Sequence, residues 1–255
     1  MIEKSHTIRS GADGHSWVQG GPYRLRTSSF VSEDRSESPI VVVVIHGDTP
    51  NNDPDYQYEF AAHVAATYRD VVAVGLLRPG YTDPQGNKSE GERGEATGDS
   101  LNVTNTEAIA GAIDELKRRW SAREVVLAAH SGGATLTANV LCRYPEIIDR
   151  ALLVSSVYDV EMWRQHMFEK TGAPVFQGEI NALSPIEQIT GMSNQVEVTL
   201  MVGSQDEIAP PSFSEQYEAV ARSHGKNVRL VRLEGKGHEI FLSPAVFAEL
   251  GPMLS

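Results

Sequence analysis

The 255-residue sequence predicts an α/β fold in which helices flank a mainly parallel sheet. Two observations lead to this prediction. Several short aliphatic runs, of which 40–45 is the purest, have no polar face, as is typical of strands buried on both sides of a parallel sheet. Segments with helical spacing of apolar residues separate these runs, and such alternation indicates right-handed strand–helix–strand crossovers.

The predicted sheet begins antiparallel. Segments 16–18 and 23–30, around Gly20-Gly21-Pro22, form an expected hairpin. The later strands are expected at 40–45, 71–77, 125–129, 151–154, 196–202 and 228–233. The last of these alternates apolar and charged residues, so we expect an edge strand with one solvent-exposed face.

Helices are expected at 56–68, 132–143, 211–223 and 245–250, and a further one from Thr104. Segment 104–107 (Thr-Asn-Thr-Glu) fits a capping box, in which a hydroxyl and a carboxylate satisfy the first free amides. The apolar residues that follow lie along one helix face: Ile109, Ile113, Leu116 and Trp120.

Composition excludes some classes of function. The chain has 34 acidic and 22 basic residues, a net charge of −12, which argues against a nucleic-acid partner because such binding depends on phosphate neutralisation. The single cysteine, Cys142, excludes an internal disulfide. The first residues lack the apolar core of a signal peptide, and no aliphatic run could span a bilayer, so a cytoplasmic protein is expected.

We expect one domain over residues 1–255 with two long irregular stretches. Segment 79–100 is rich in glycine, charge and turn residues, and loops of this length are usually functional or mobile. Segment 159–189 is too apolar for a simple linker. It is expected to form a small lid of one or two helices over the carboxyl ends of the strands.

The most informative motif is Ala129-His130-Ser131-Gly132-Gly133, at the end of a predicted strand and the start of a helix. A serine on such a sharp turn projects its hydroxyl out of the sheet, and its neighbours must be small. Ser131 is therefore the candidate nucleophile. The alternative is a serine that only caps the helix.

A serine nucleophile needs a base oriented by a carboxylate. Asp206 follows a predicted strand and His238 follows the last one, so both lie where open α/β sheets place their sites. Glu207 is a fallback for the acid. Each of these residues, taken alone, is also compatible with an exposed loop position.

The oxyanion of a tetrahedral intermediate needs backbone donors. The amides of Gly132 and Asp48 are expected to form this oxyanion hole. The side chain of Asp48 must then point away or be paired, and Arg78 is a possible partner. His46 is expected to support the turn, and His130 to pack and form hydrogen bonds.

No cofactor or metal site is expected, because the sequence has neither H-E-x-x-H nor a phosphate-cradling or dinucleotide-binding loop. Candidate substrate contacts come from the lid and the long loop. They are Trp163, Met167 and Phe176, which suggest an apolar or aromatic substrate group, and Tyr81, which either contacts substrate or packs the loop.

From about Trp17 onward the chain resembles the α/β-hydrolase superfamily, whose triad follows the order serine, acid, histidine. The resemblance lies in His46-Gly47, the motif around Ser131, Asp206 and Gly237-His238. Segment 183–186 (Leu-Ser-Pro-Ile) and the stretch 202–210 look like the catalytic domain of prolyl-oligopeptidase-type peptidases and related esterases. Ala129 departs from the usual first glycine, as in some small bacterial lipases.

The resemblance implies a serine hydrolase, with ester hydrolysis expected over peptide hydrolysis. The sequence shows neither a preceding β-propeller nor the acidic pair by which aminodipeptidases hold a substrate amino terminus. The expected partner is a small-molecule ester. The alternatives are a peptidase or aminoacyl hydrolase of the same fold, and a binding protein that keeps the fold without turnover.

Overall fold

The computed structural model describes residues 16–255 and contains an eight-stranded sheet in the order β1-β2-β4-β3-β5-β6-β7-β8. Its strands are Trp17–Gly20 (β1), Tyr23–Val31 (β2), Ile40–Ile45 (β3), Val71–Leu76 (β4), Glu124–His130 (β5), Arg150–Val154 (β6), Glu197–Gly203 (β7) and Asn227–Leu233 (β8). The β1–β2 and β2–β4 pairs are antiparallel and the remaining five pairs are parallel. The α/β class, the initial hairpin and the edge position of β8 are thereby confirmed. The signal-peptide prediction concerns residues outside the described range.

Six α-helices accompany the sheet within residues 16–255. They are Tyr56–Thr67 (α1), Val103–Arg119 (α2), Gly132–Arg143 (α3), Val160–Thr171 (α4), Pro211–Ser223 (α5) and Pro244–Leu250 (α6). Short 3₁₀ helices lie at Pro174–Phe176, Pro185–Gly191 and Gly251–Leu254. None of the helices in this range has both the length and the apolar character needed to cross a membrane.

The two faces of β3 show why its sequence is aliphatic throughout. Val41, Val43 and Ile45 pack into the core under α2, α3 and α5. The alternate side chains, Ile40, Val42 and Val44, pack into a second core under α1 and α6. Because successive strand residues point to opposite faces, a strand between two helical layers has no polar position.

The N-cap of helix α2 lies two residues earlier than the predicted capping box places it. Its N-cap is Asn102, whose side chain accepts a 2.9 Å hydrogen bond from the amide of Asn105. The predicted capping box over 104–107 is therefore wrong. Asparagine is among the best N-cap residues, and Thr106 instead turns its hydroxyl back to the carbonyl of Asn102 at 2.8 Å.

The predicted lid segment contains one α-helix and two 3₁₀ helices. Asp159 caps α4 by accepting from the amide of Met162 at 3.0 Å, and Gly172 ends it in the left-handed conformation at φ 66°. The buried Arg164 binds the carbonyls of Thr97 and Val175 at 2.6 and 3.2 Å. It therefore joins α4 both to the long loop and to the next turn.

The long loop over 79–100 is held by its own polar groups. The buried carboxylate of Asp83 accepts hydrogen bonds from the amides of Gln85 and Asn87, at 3.1 and 2.9 Å. The loop amide of Glu90 binds the carbonyl of Arg24 in β2 at 3.1 Å. The loop is thus attached to the antiparallel edge of the sheet.

Candidate active site

Ser131 occupies the single residue between β5 and α3, in a strained backbone conformation with φ 51° and ψ −127°. A non-glycine residue held there costs about 1–3 kcal/mol, so its surroundings must enforce it. The Ser131 amide donates to the carbonyl of Val154 in β6 at 2.9 Å. Its carbonyl accepts from the amides of Ala134 and Thr135 at 2.9 and 3.1 Å, which fixes the first turn of α3.

The glycines after Ser131 lie in close contact with the His46–Asp48 turn. A Cβ on Gly133 would lie 2.2 Å from the carbonyl oxygen of His46, and one on Gly132 would lie 2.6 Å from Oδ2 of Asp48. Ala129, before the serine, is fully buried in the apolar core. The structure thus accommodates a methyl group on that side of the serine.

Ser131, His238 and Asp206 form one continuous chain of hydrogen bonds. Nε2 of His238 lies 3.1 Å from Oγ of Ser131. Nδ1 of the same ring lies 3.0 and 2.9 Å from the two carboxylate oxygens of Asp206. Because a carboxylate only accepts, Nδ1 carries the proton of the neutral ring, and in that form Nε2 accepts from the serine hydroxyl. This is the tautomer that a general base next to a serine requires.

The carboxylate of Asp206 is fixed by the loop after β7. It is 3% exposed, and its Oδ1 accepts from the amides of Ile208 and Ala209 at 2.9 and 2.8 Å. Glu207 points away, is exposed, and forms a 2.7 Å ion pair with Lys170 of α4. The structure therefore brings Asp206, and not the fallback Glu207, to the histidine.

The loop that carries His238 is anchored through its main chain. The carbonyl of His238 accepts a 2.8 Å hydrogen bond from the hydroxyl of Ser155 and lies 3.4 Å from Nε2 of His130. Nδ1 of His130 lies 3.0 Å from the hydroxyl of Tyr56, which also accepts from the amide of Gly47. This network connects the histidine loop to the turn after β3.

Burial and the neighbouring His238 lower the pKa of His130 to about 3. Its ring is therefore neutral near pH 7, with Nδ1 accepting from Tyr56 and Nε2 donating to the His238 carbonyl. Its contacts are with the main chain of His238 rather than with the reacting hydroxyl. The prediction that His130 packs and forms hydrogen bonds is confirmed.

The turn after β3 carries Asp48 into the site, paired as the sequence reasoning required. Oδ1 of Asp48 accepts from the guanidinium of Arg78 and from the hydroxyl of Tyr81, each at 2.9 Å. His46 supports the same turn, with Nδ1 2.7 Å from the carbonyl of Gly47 and Nε2 accepting from the Arg78 amide at 3.0 Å. Burial, followed by the charge of Arg78, lowers the pKa of His46 well below its ordinary value, so this ring is also neutral.

A small, partly open cavity lies beside Ser131. Its wall combines apolar side chains with three hydroxyls and one carboxylate. The lining residues are Asp48, Leu101, Ser131, Gly132, Thr135, Ser155, Val157, Trp163, Ile208 and Ala209. Within residues 16–255, no group of three or more His, Cys, Asp or Glu side chains is placed to hold a metal ion.

The four candidate substrate contacts occupy different places. Trp163 lines the cavity, and its Nε1 donates to the carbonyl of Ile208 at 2.9 Å. Met167 and Phe176 pack against an apolar cluster that contains Trp163, and they lie outside the cavity wall. Tyr81 is 1% exposed and lies behind Asp48, so it packs the loop.

The sequence profile of the alpha/beta hydrolase fold family matches residues 40–190, more than half of the chain. The chain belongs to this family. The match contains Ser131 and the turn after β3, whereas Asp206 and His238 follow it. No curated protein sequence matches the chain significantly.

Solved structures of other proteins share this α/β-hydrolase fold. Est1E from Butyrivibrio proteoclasticus, solved with ferulic acid bound, superposes with a TM-score of 0.69 at 15% identity over 93% of this chain and 97% of its own. A puromycin-hydrolyzing peptidase of Mycobacterium tuberculosis gives 0.67 at 17% identity over 89% and 36%. The acylaminoacyl peptidase of Pyrococcus horikoshii gives 0.67 at 16% identity over 93% and 39%. This α/β-hydrolase thus spans less than two-fifths of the length of these two peptidases, and identities this low show only the fold.

Sequence reasoning missed the positioning groups around the α/β-hydrolase site. Ser155 directly follows a predicted strand next to the nucleophile strand, and this position was a usable signal. Tyr56, at the start of α1, gives no sequence signal, because only the folded chain brings its hydroxyl to His130.

Proposed function

We propose that this protein is a serine hydrolase that cleaves carboxylic esters through an acyl-enzyme intermediate. The observation that carries the proposal is the hydrogen-bonded chain from Ser131 through His238 to Asp206. The family and the shared fold support a hydrolase, and the cavity beside Ser131 gives a substrate carbonyl access to the hydroxyl.

In the proposed acylation, Oγ of Ser131 attacks the ester carbonyl carbon while Nε2 of His238 takes the hydroxyl proton. Asp206 keeps the imidazole oriented and stabilises its positive charge. The oxyanion is bound by the amides of Gly132 and Asp48, the first of which belongs to the unpaired amides at the start of α3. Collapse breaks the bond to the alcohol oxygen, which receives the proton from His238.

Deacylation repeats the sequence with water as the nucleophile. His238 takes a proton from water as its oxygen attacks the acyl carbon, and it returns that proton to Oγ of Ser131 when the carboxylic acid leaves. Every proton transfer uses side chains of this chain, so the proposed reaction requires no cofactor.

The cavity wall supports a small ester with an apolar or aromatic group as the substrate. Its apolar part is formed by Leu101, Val157, Trp163, Ile208 and Ala209. The helix α4 contributes Trp163 to this wall, which supports the proposal that segment 159–189 acts as a lid.

Hydrolysis of p-nitrophenyl esters of increasing chain length, beside aminoacyl and prolyl p-nitroanilides, tests the proposal. Ester turnover that is absent in Ser131→Ala, without anilide cleavage, is the expected result. Preferential anilide cleavage would favour the alternative of a peptidase or aminoacyl hydrolase of the same fold. Full ester turnover by the Ser131→Ala variant would contradict the proposed nucleophile.

A fluorophosphonate reagent distinguishes an active serine hydrolase from a binding protein that keeps the fold without turnover. Such reagents modify an activated serine irreversibly, so labelling of the wild type and not of Ser131→Ala shows that the nucleophile is activated. The combination of labelling with ester turnover excludes a purely binding role.

A further inference from the structure

A buried arginine lies directly behind the proposed oxyanion hole. Arg78 follows the end of β4 and is 1% exposed. One guanidinium nitrogen donates to Oδ1 of Asp48 at 2.9 Å and lies 3.5 Å from the carbonyl of His46. The other terminal nitrogen donates to the hydroxyl of Ser100 at 3.0 Å. Together with its own amide, which donates to Nε2 of His46, this side chain holds both ends of the His46–Asp48 turn.

The carboxylate held by Arg78 lies inside the reaction cavity. Asp48 and Ser131 line the same cavity, and Oδ2 of Asp48 lies 2.6 Å from the place of a Cβ on Gly132. The Gly132 amide is one of the two proposed oxyanion donors. A permanent negative charge therefore lies beside the point where a second one develops during the reaction, and such charges repel strongly in a poorly solvated site.

The neighbours of the carboxylate show what offsets this charge. The Tyr81 hydroxyl shares Oδ1 of Asp48 but is neutral, since burial raises its pKa above the ordinary value. In the part of the chain that the structure describes, Arg78 is the cation that forms an ion pair with Asp48. The guanidinium is fixed by Ser100 and His46 as well as by the carboxylate, so it is positioned before any substrate binds.

We propose that Arg78 is a positioning residue of the oxyanion hole: its guanidinium neutralises the Asp48 carboxylate and holds the turn that presents the Asp48 amide to Ser131. This inference rests on the proposed function, because it concerns a charge that develops only during attack by Ser131. Its effect is expected in the transition state, and so in kcat rather than in KM.

A double-mutant cycle separates this electrostatic role from a structural one. Arg78→Gln removes the cation but keeps a hydrogen-bonding side chain, so the Asp48 carboxylate loses its counter-charge. We expect kcat for p-nitrophenyl acetate to fall about 100-fold, similar to the loss of one oxyanion donor, with KM within threefold. Adding Asp48→Asn to this variant removes the carboxylate charge that has lost its counter-ion. The double variant should have a kcat at least tenfold higher than that of Arg78→Gln alone. An arginine that only supports the fold would give no recovery.

Matched controls come from an ion pair far from the site. Arg150 pairs with Glu124 at 2.6 Å, at the amino ends of β6 and β5. Arg150→Gln, alone and with Glu124→Gln, should leave kcat per active site within twofold. Active sites are counted by exhaustive fluorophosphonate labelling, which corrects for any unfolded fraction.

Arg78→Lys keeps the cation and serves if Arg78→Gln does not fold. Its kcat should stay within tenfold of the wild type, and a 100-fold loss would contradict the neutralising role. If the wild type shows Ser131-dependent turnover but Asp48→Asn does not restore the kcat that Arg78→Gln loses, this inference is overturned. The proposed function is then left intact. A wild type inert to both esters and fluorophosphonate overturns both.

Discussion

The hydroxyl of Ser155 donates a 2.8 Å hydrogen bond to the main-chain carbonyl of His238. Ser155 directly follows β6, and its φ of 51° is the same as that of Ser131 at the end of the neighbouring β5. Two adjacent strands thus end in strained serines. One presents its hydroxyl to the His238 ring and the other to the backbone of the same residue. The histidine is therefore fixed from both sides by neighbouring strand ends.

Ser155→Ala should lower kcat by about two- to tenfold with little change in KM. The reason is that one hydrogen bond of roughly 0.5–1.5 kcal/mol no longer restrains the histidine loop. Steady-state kinetics per labelled active site checks this. Ser32→Ala is the control, because the buried Ser32 accepts from the Val71 amide at 2.9 Å on the distant edge of the sheet. That variant should lose stability without losing kcat, and an equal kcat for Ser155→Ala and the wild type would refute the anchoring role.

Asp206→Asn should reduce kcat by about 10⁴-fold while the protein stays folded, since an amide no longer enforces the histidine tautomer. Glu207→Gln is the adjacent control: Glu207 is exposed and pairs with Lys170. It should change kcat less than twofold. Comparable losses in the two variants would contradict the assignment of Asp206 as the acid.

The three residues of the proposed triad could be predicted from the sequence because each of them has a local signal. Ser131 is marked by an apolar strand that stops at small residues, and Asp206 and His238 by their places after strands. Parallel strands bring their carboxyl ends to one edge of the sheet, so these three positions had to meet. The N-cap of α2 was misplaced by two residues because Thr104 and Asn102 both offer capping side chains.

The cavity wall was less predictable, because composition does not say which side of a segment faces the site. Trp163, Met167 and Phe176 are all apolar residues of one segment, but only Trp163 reaches the wall. The same limit applies to Tyr81. Its position behind Asp48 depends on how the loop over 79–100 attaches to β2, which no local pattern encodes.

Trp163→Ala should raise KM more for large aromatic esters than for acetates, because the indole forms part of the apolar wall. The indole also packs with Val157, Ala209 and Phe213, so a loss of stability of about 3–5 kcal/mol is expected. Trp163→Phe retains an aromatic wall and should show a smaller difference between the two ester classes. An equal change in KM for both classes in Trp163→Ala would show that the indole does not contact the larger group.

The neutral, buried His130 should make stability depend on pH. Its pKa is about 3 in the folded protein, against an ordinary value of 6.5. Between these values the unfolded chain binds a proton that the folded chain does not, so the free energy of unfolding decreases as the pH falls. Each histidine that stays neutral in the folded protein and is protonated in the unfolded chain changes the free energy of unfolding by about 1.4 kcal/mol per pH unit. His46, whose pKa is lowered in the same direction, adds to the wild-type slope and is retained in a His130 variant.

His130→Phe keeps an aromatic ring against Phe241 and removes the titrating group. Urea unfolding of the wild type and the variant at several pH values between 6 and 5 gives the slope of the unfolding free energy against pH for each protein. This range avoids Asp34, whose pKa of about 2 lies below it. We expect the variant slope to be smaller by about 1.4 kcal/mol per pH unit, whatever the absolute stabilities are. Identical slopes would mean that His130 is protonated in the folded protein at these pH values, and its Nδ1 could then not accept from Tyr56.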